Sequence, residues 1–157
     1  MSGGTINHNR IAANLLRDIG MGLMERECEV LGSDMKVRIE AADAFVYPDV
    51  TVLCGAPEYY DEQKHVITNP MVVFEVLSAS TEGFDRGHKF HYYKTIPTLQ
   101  EYVLLAQDST SIDLFRRAEN GIWTNQSYLD LQSVLYLESI DLDLSLDRIY
   151  HRVEDLV

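Results

Sequence analysis

Apolar residues recur at a four-residue step early in the chain. Ile11, Leu15, Ile19 and Leu23, with Leu16 beside them, make a stripe along a helix predicted over residues 8–27. Asn7 is placed to cap this helix, and Gly20 and Gly22 weaken its second half. The period then changes. Met35-Lys36-Val37-Arg38-Ile39-Glu40 alternates, as a strand with one wet face does. Residues 44–54 read as a longer, more apolar strand and 55–69 as a loop. Residues 71–77 are apolar throughout except at Glu75, the pattern of a central strand covered on both faces.

Residues 78–83 read as a turn and 85–95 as a short helix that Ile96-Pro97-Thr98 ends. Residues 101–106 and 111–117 read as two strands joined at Gln107-Asp108-Ser109, and another strand follows Gly121 around 123–129. The alternation over 140–144 predicts an edge strand or an extended segment. Asp147 is placed to cap a terminal helical turn through Val153. This order of elements predicts an α/β sandwich with a mixed or largely antiparallel sheet, in one domain over residues 1–157.

At 157 residues and 46% hydrophobic, the chain can bury a substantial core, and disorder is excluded as its general state. No apolar run approaches a membrane span, and Met1-Ser2-Gly3-Gly4 is not a signal peptide, so a soluble cytoplasmic protein is expected. Cys28 and Cys54 lack a metal-ligand spacing. Cys54 ends an apolar strand and reads as a buried thiol in preference to a disulfide.

The net charge of −12 argues against a general nucleic-acid-coating protein, whose affinity comes from neutralising phosphates. The acids crowd the far end of the chain, where they read as a solvated face. Arg86, His88, Lys89, His91 and Lys94 instead share one short segment, which leaves room for an enzyme with a local basic patch.

Two carboxylates stand out against the hydrophobic pattern. Asp49 lies in Tyr47-Pro48-Asp49-Val50 and Glu75 in Phe74-Glu75-Val76-Leu77. If their strands are neighbours, a cross-strand pair would set the two acids about 5 Å apart at Cβ, close enough to repel. A divalent cation removes the conflict, and Mg²⁺ is satisfied by one or two carboxylates plus water and phosphate oxygens. The bland alternatives are a turn or cap made by Asp49, and an ion pair of Glu75 with Arg38 or Arg86. Lys89 and Arg86 are candidates to stabilise charge on a phosphate, and the helical spacing brings Asp85, Lys89 and Tyr92 or Tyr93 near one face. Asp85 and Lys89 also suit an i,i+4 pair. His8 either reaches the acids or a phosphate, or stays a surface residue at a helix start.

At these residues the chain resembles a known family. Tyr47-Pro48-Asp49-Val50, Phe74-Glu75-Val76-Leu77-Ser78, Asp85-Arg86-Gly87-His88-Lys89, Tyr93 and Leu99-Gln100-Glu101-Tyr102-Val103 follow one another as in the Uma-two family of restriction-endonuclease-like proteins. That family belongs to the PD-(D/E)XK nuclease superfamily. Gly32-Ser33-Asp34-Met35-Lys36-Val37, His8-Asn9-Arg10-Ile11 and Gly121-Ile122-Trp123 fit the same pattern, which covers nearly the whole chain. The resemblance implies a restriction-endonuclease-like fold, a central mixed sheet flanked by helices. It implies Mg²⁺, or Mn²⁺, bound by Asp49 and Glu75, with the main-chain carbonyl of Val76 as a further ligand.

Two departures accompany the resemblance. The superfamily lysine two residues after the second acid is Leu77 here, and Lys89 is the candidate to replace it. Family members usually carry a further N-terminal segment, so a shortened product is expected. The reading that follows is a Mg²⁺-dependent endonuclease cleaving DNA, with Asp49, Glu75 and Lys89 catalytic and His8, Asp85, Arg86 and Tyr93 accessory. The alternatives are a non-catalytic dimeric scaffold and a hydrolase of another phosphate ester. A homodimer is expected from the Tyr and Trp residues available for an interface.

Overall fold

The computed structural model describes residues 3–78 and 85–157, the side chains of Asp85 and Arg86 excepted. The first helix, α1 (Ile6–Leu23), buries the predicted stripe of Ile11, Leu15, Ile19 and Leu23. Its cap is Thr5 rather than Asn7. Thr5 Oγ1 accepts from the His8 amide at 3.1 Å, and the helix therefore starts earlier and ends at Leu23. Gly22 is tolerated so late in the helix because a Cβ there would collide with the side chain of Leu142.

The strands are β1 (Cys28–Leu31), β2 (Lys36–Ile39), β3 (Ala44–Val46), β4 (Val50–Cys54), β5 (Val66–Ile67) and β6 (Val72–Val76). They continue as β7 (Glu101–Leu105), β8 (Ile112–Arg117), β9 (Trp123–Tyr128), β10 (Val134–Leu137) and β11 (Leu142–Ser145). The described residues also form two short α-helices, α2 (Phe90–Tyr93), entered through a π-helical turn at Asp85–Lys89, and α3 (Leu146–Ile149).

Six strands form the central sheet in the order β1-β4-β6-β7-β8-β9. Strands β6 and β7 run parallel, and the other neighbours in this sheet are antiparallel. It is a central mixed sheet flanked by helices. One face packs Val50, Val52, Val72, Phe74, Val103 and Leu105 against α1, the β10–β11 hairpin and α3. The other packs Leu53, Val73, Leu77, Tyr102 and Leu104 against Tyr93, Ile96 and Leu99, and against Val37, Ile39 and Ile67 of a smaller sheet ordered β3-β2-β5.

Four expectations are corrected. Residues 44–54 are two strands in two sheets, because Pro48 has no N–H for a ladder and breaks the run just before Asp49. The loop over 55–69 contains β5. Strands β1 and β10 have no counterpart in the sequence pattern. The last helix is Leu146–Ile149, preceded by Ser145, so Asp147 lies inside it rather than at its cap. The turn expected over 78–83 lies, from residue 79 on, outside the described residues.

The cysteines are also corrected. Cys28 faces Cys54 directly across the antiparallel β1–β4 pair, and their Sγ atoms are bonded. Cys54 is therefore half of a disulfide and not a buried thiol. Periodicity does not reveal this, because it does not mark β1 as a strand. Among the described residues, no helix is long and apolar enough to cross a membrane.

Candidate active site

The antiparallel register of β4 and β6 sets Val50 opposite Phe74. One step further sets Asp49 opposite Glu75. The two sequence-predicted acids are thus neighbours at one end of adjacent strands, as the cross-strand argument required. Asp49 is held by the backbone, its Oδ2 accepting the Val76 amide at 2.7 Å.

Glu75 is 4% exposed. Its Oε1 accepts the Tyr93 hydroxyl at 3.0 Å and lies 3.0 Å from Lys89 Nζ. Both donors arrive on the crossover between β6 and β7. Parallel neighbours need such a long return connection, and this one passes over the sheet with the π-turn and α2. Tyr93 is fully buried, its ring 4.9 Å from that of Tyr102. Arg117 secures the far end of the crossover by donating to the carbonyls of Lys94, Ile96 and Leu99. Leu77, where the resemblance leads to the expectation of a lysine, is buried in the core with Tyr93 and Leu104.

Among the described residues, Glu75 makes an ion pair with Lys89. Arg38 is engaged elsewhere, paired with Asp43 at 2.6 Å. The side chains of Asp85 and Arg86, both named as accessory candidates, lie outside the described residues.

His8 comes from the opposite side. It sits in the first turn of α1, and its Nε2 is 3.1 Å from Asp49 Oδ1. The hydrogen bond to Asp49 raises its pKa above the ordinary histidine value. Burial opposes that shift, and the negative charges of Asp49 and Glu75 reinforce it. The site is therefore a row of His8, Asp49, Glu75 and Lys89, the two acids side by side between donors that come from two helical segments onto one sheet end. Among the described residues, no group of three or more His, Cys, Asp or Glu side chains converges to hold a metal ion. Asp49 and Glu75 nonetheless supply the hard oxygen donors that Mg²⁺ prefers, and two carboxylates meet its needs.

One residue at this end is not legible in the sequence. Gln107 donates to the Leu77 carbonyl at 2.6 Å, and the Thr5 hydroxyl donates to its side-chain oxygen. Asn7 donates to the Gln107 carbonyl at 3.3 Å. Gln107 thus pins the start of α1, and with it His8, to the chain just beyond β6. Its local pattern is that of a turn residue, and nothing there marks it otherwise.

Residues 1–148 match the Uma2 family, described as "Putative restriction endonuclease". The chain belongs to the Uma2 family. Two uncharacterized Synechocystis sp. relatives, sll1609 and slr1290, agree in extent. The first is 37% identical over 123 residues, which is 78% of this chain and 70% of the relative. The second is 38% identical over 150 residues, 96% of this chain and 77% of the relative. The fold is similar to that of a crystal structure described as a "putative nuclease belonging to DUF820" from Anabaena variabilis. That similarity has a TM-score of 0.76 at 16% identity and covers 96% of this chain and 82% of the other. In this Uma2 chain, the ordered motifs that carry the resemblance converge on one sheet end: Asp49, Glu75, Lys89 and Tyr93.

Proposed function

We propose that this Uma2 protein is a Mg²⁺-dependent endonuclease that hydrolyses DNA phosphodiester bonds. The contact of Lys89 with Glu75, beside an Asp49 set opposite on the next strand, carries this reading. It supplies from the crossover the lysine that position 77 lacks. The family match and the nuclease-like fold support it.

Asp49 and Glu75 would hold Mg²⁺, or Mn²⁺, with the Val76 carbonyl as a third ligand. The bound ion supplies Lewis acidity and a water acidic enough to act as a nucleophile near neutral pH. The protein's own groups do the rest. The Val76 amide fixes the rotamer of Asp49, and the Tyr93 hydroxyl fixes that of Glu75. Lys89 orients the attacking water and offsets charge developing on the phosphoryl oxygens. His8, largely in its charged form at mildly acid pH, offers a second cation to the phosphate.

The test is nicking of supercoiled plasmid by purified protein with Mg²⁺, Mn²⁺ or a chelator. Wild type should cleave with metal, and Asp49→Ala and Glu75→Ala should not. Equal residual nicking in wild type and Asp49→Ala would mark the activity as contamination and remove the assignment.

One observation favours a second reading. Among the described residues, the two acids already have His8 and Lys89 as partners. A non-catalytic scaffold that keeps the nuclease fold would need no more. Calorimetry separates the two: Mn²⁺ binding lost in Glu75→Ala supports the enzyme, and a folded protein that binds no metal supports the scaffold.

A further inference from the structure

The outer face of the smaller sheet departs from the rule that a strand's wet face is polar. Val37, Ile39 and Val46 point toward the core, so Lys36, Arg38, Phe45 and Tyr47 point away from it. The β2–β3 register sets Arg38 opposite Phe45, and its next step sets Lys36 opposite Tyr47. Rings and cations therefore alternate. Lys36 Nζ lies 5.7 Å from the Phe45 ring centre and 5.5 Å from that of Tyr47. Arg38 lies 4.8 Å from Phe45 and 5.0 Å from Tyr60, and the Phe45 and Tyr60 rings meet edge to face at 5.3 Å. Phe45, Tyr47 and Tyr60 are 45%, 47% and 55% exposed. A hollow of about 370 Å³ continues the face past Tyr47, lined by Asp34, Met35, Lys36, Lys64 and His65.

Cross-strand packing alone accounts for one cation on one ring. It does not account for three exposed rings in a row. Nor does it explain the charge. The chain has 25 acidic and 13 basic side chains. Yet among the described residues no carboxylate pairs with Lys36 or Lys64. Two nearby acids are engaged: Asp43 takes Arg38, and Asp61 accepts the amides of His65 and Val66. Asp34, on the rim of the hollow, and Glu40, beside Arg38 and Tyr60, also lie on this side.

We propose that this face binds a single-stranded stretch of DNA, bases on Phe45, Tyr47 and Tyr60 and phosphates on Lys36 and Lys64. Stacked rings interleaved with cations accept any base by its face and any phosphate by its charge. The face also leads to the chemistry. Tyr47 is followed by Pro48 and then Asp49, so a strand resting on Tyr47 runs on toward the acid pair. This rests on the nuclease reading for its direction, not for its contacts.

The experiment is anisotropy of a labelled oligo(dT) in EDTA, where nothing is cleaved. Phe45→Ala/Tyr47→Ala should weaken binding about tenfold or more, the effect of losing stacked bases. Tyr47→Phe, which keeps the ring, should bind as wild type. Lys36→Gln/Lys64→Gln should lower the salt dependence of binding, by roughly 0.7 in log–log slope for each phosphate left without its lysine. This pair tests the face even if the aromatic double variant folds poorly. Undiminished binding in both double variants overturns the proposal. So does light scattering in which the aromatic variant changes oligomeric state but not oligonucleotide affinity, since the face would then join two copies of the chain. Aromatic-dependent binding by a protein that cleaves nothing removes the nuclease reading and keeps the face. Cleavage with unchanged binding does the reverse.

Discussion

Lys89 reaches Glu75 from outside the strand that carries the acid, its Nζ 3.0 Å from Oε1. The lysine side chain is 19% exposed and the glutamate side chain 6%, so one end of this pair is dry and the other looks toward solvent. That is the arrangement expected of a group that steadies an acid and also meets a substrate.

Replacing Lys89 should therefore have two effects. Lys89→Met should lower plasmid nicking on the order of 100-fold, as loss of one charge-stabilising donor does. It should also cost about 1–3 kcal/mol of stability, because the buried Glu75 carboxylate loses a charged donor. Nicking rates and urea melts at one pH measure both. Nicking unchanged in Lys89→Met would remove Lys89 from the catalytic set.

His8 gives a prediction in pH. Its folded-state pKa is raised by the hydrogen bond to Asp49. Protonated His8 thus contributes stability that is fully present below the unfolded value near 6.5. The contribution is lost as pH rises through the folded value. NMR titration should place the His8 midpoint above 6.5. In Asp49→Asn the main raising cause is gone while burial still lowers the value, so the midpoint should fall. A midpoint that stays put would mean the His8–Asp49 contact does not form in solution.

Gln107 should behave as a positioning residue. Gln107→Leu removes the donor to Leu77 and the acceptor of Thr5. The expected stability loss is about 1–2 kcal/mol. The His8 midpoint should also drift back toward the ordinary value as the start of α1 loosens. A purely structural glutamine would lower the melting temperature and leave the His8 titration untouched.

The Cys28–Cys54 bond closes a loop across 26 residues of sequence. Its removal in Cys28→Ser/Cys54→Ser should cost about 3–4 kcal/mol on the loop-entropy account. Calorimetry of the oxidised protein, the reduced protein and the double variant should give one high and two low melting temperatures. Three equal values would show that the bond is absent from the folded protein in solution.

Much of the site is legible in the sequence because the motif residues break a strong local pattern. Glu75 in an apolar run and Asp49 behind a proline are conflicts with burial that need a partner, and the sequence displays such conflicts. The mixed sheet follows from element order for the same reason. What stays hidden is long-range. The pairing of Cys28 with Cys54 needs the register of a short strand in which Glu29 interrupts the apolar pattern. Gln107 acquires its role from Thr5 and Leu77, to which no sequence periodicity connects it. The cap of α1 lies two residues ahead of the expected one, since Thr5 and Asn7 are both competent and tertiary contacts decide between them. Asn7 instead donates to the carbonyl of Glu154.

The parallel pairing of β6 with β7 has a consequence for tracing relatives. A parallel neighbour obliges the chain to travel back over the sheet, and whatever that return leg carries must pass the end of β6 where the acids stand. A lysine on it can change its sequence address while keeping its spatial one. Searches keyed to the spacing between acid and base along a single strand will overlook chains built this way. Searches keyed to what the return leg delivers to that strand end will recover them.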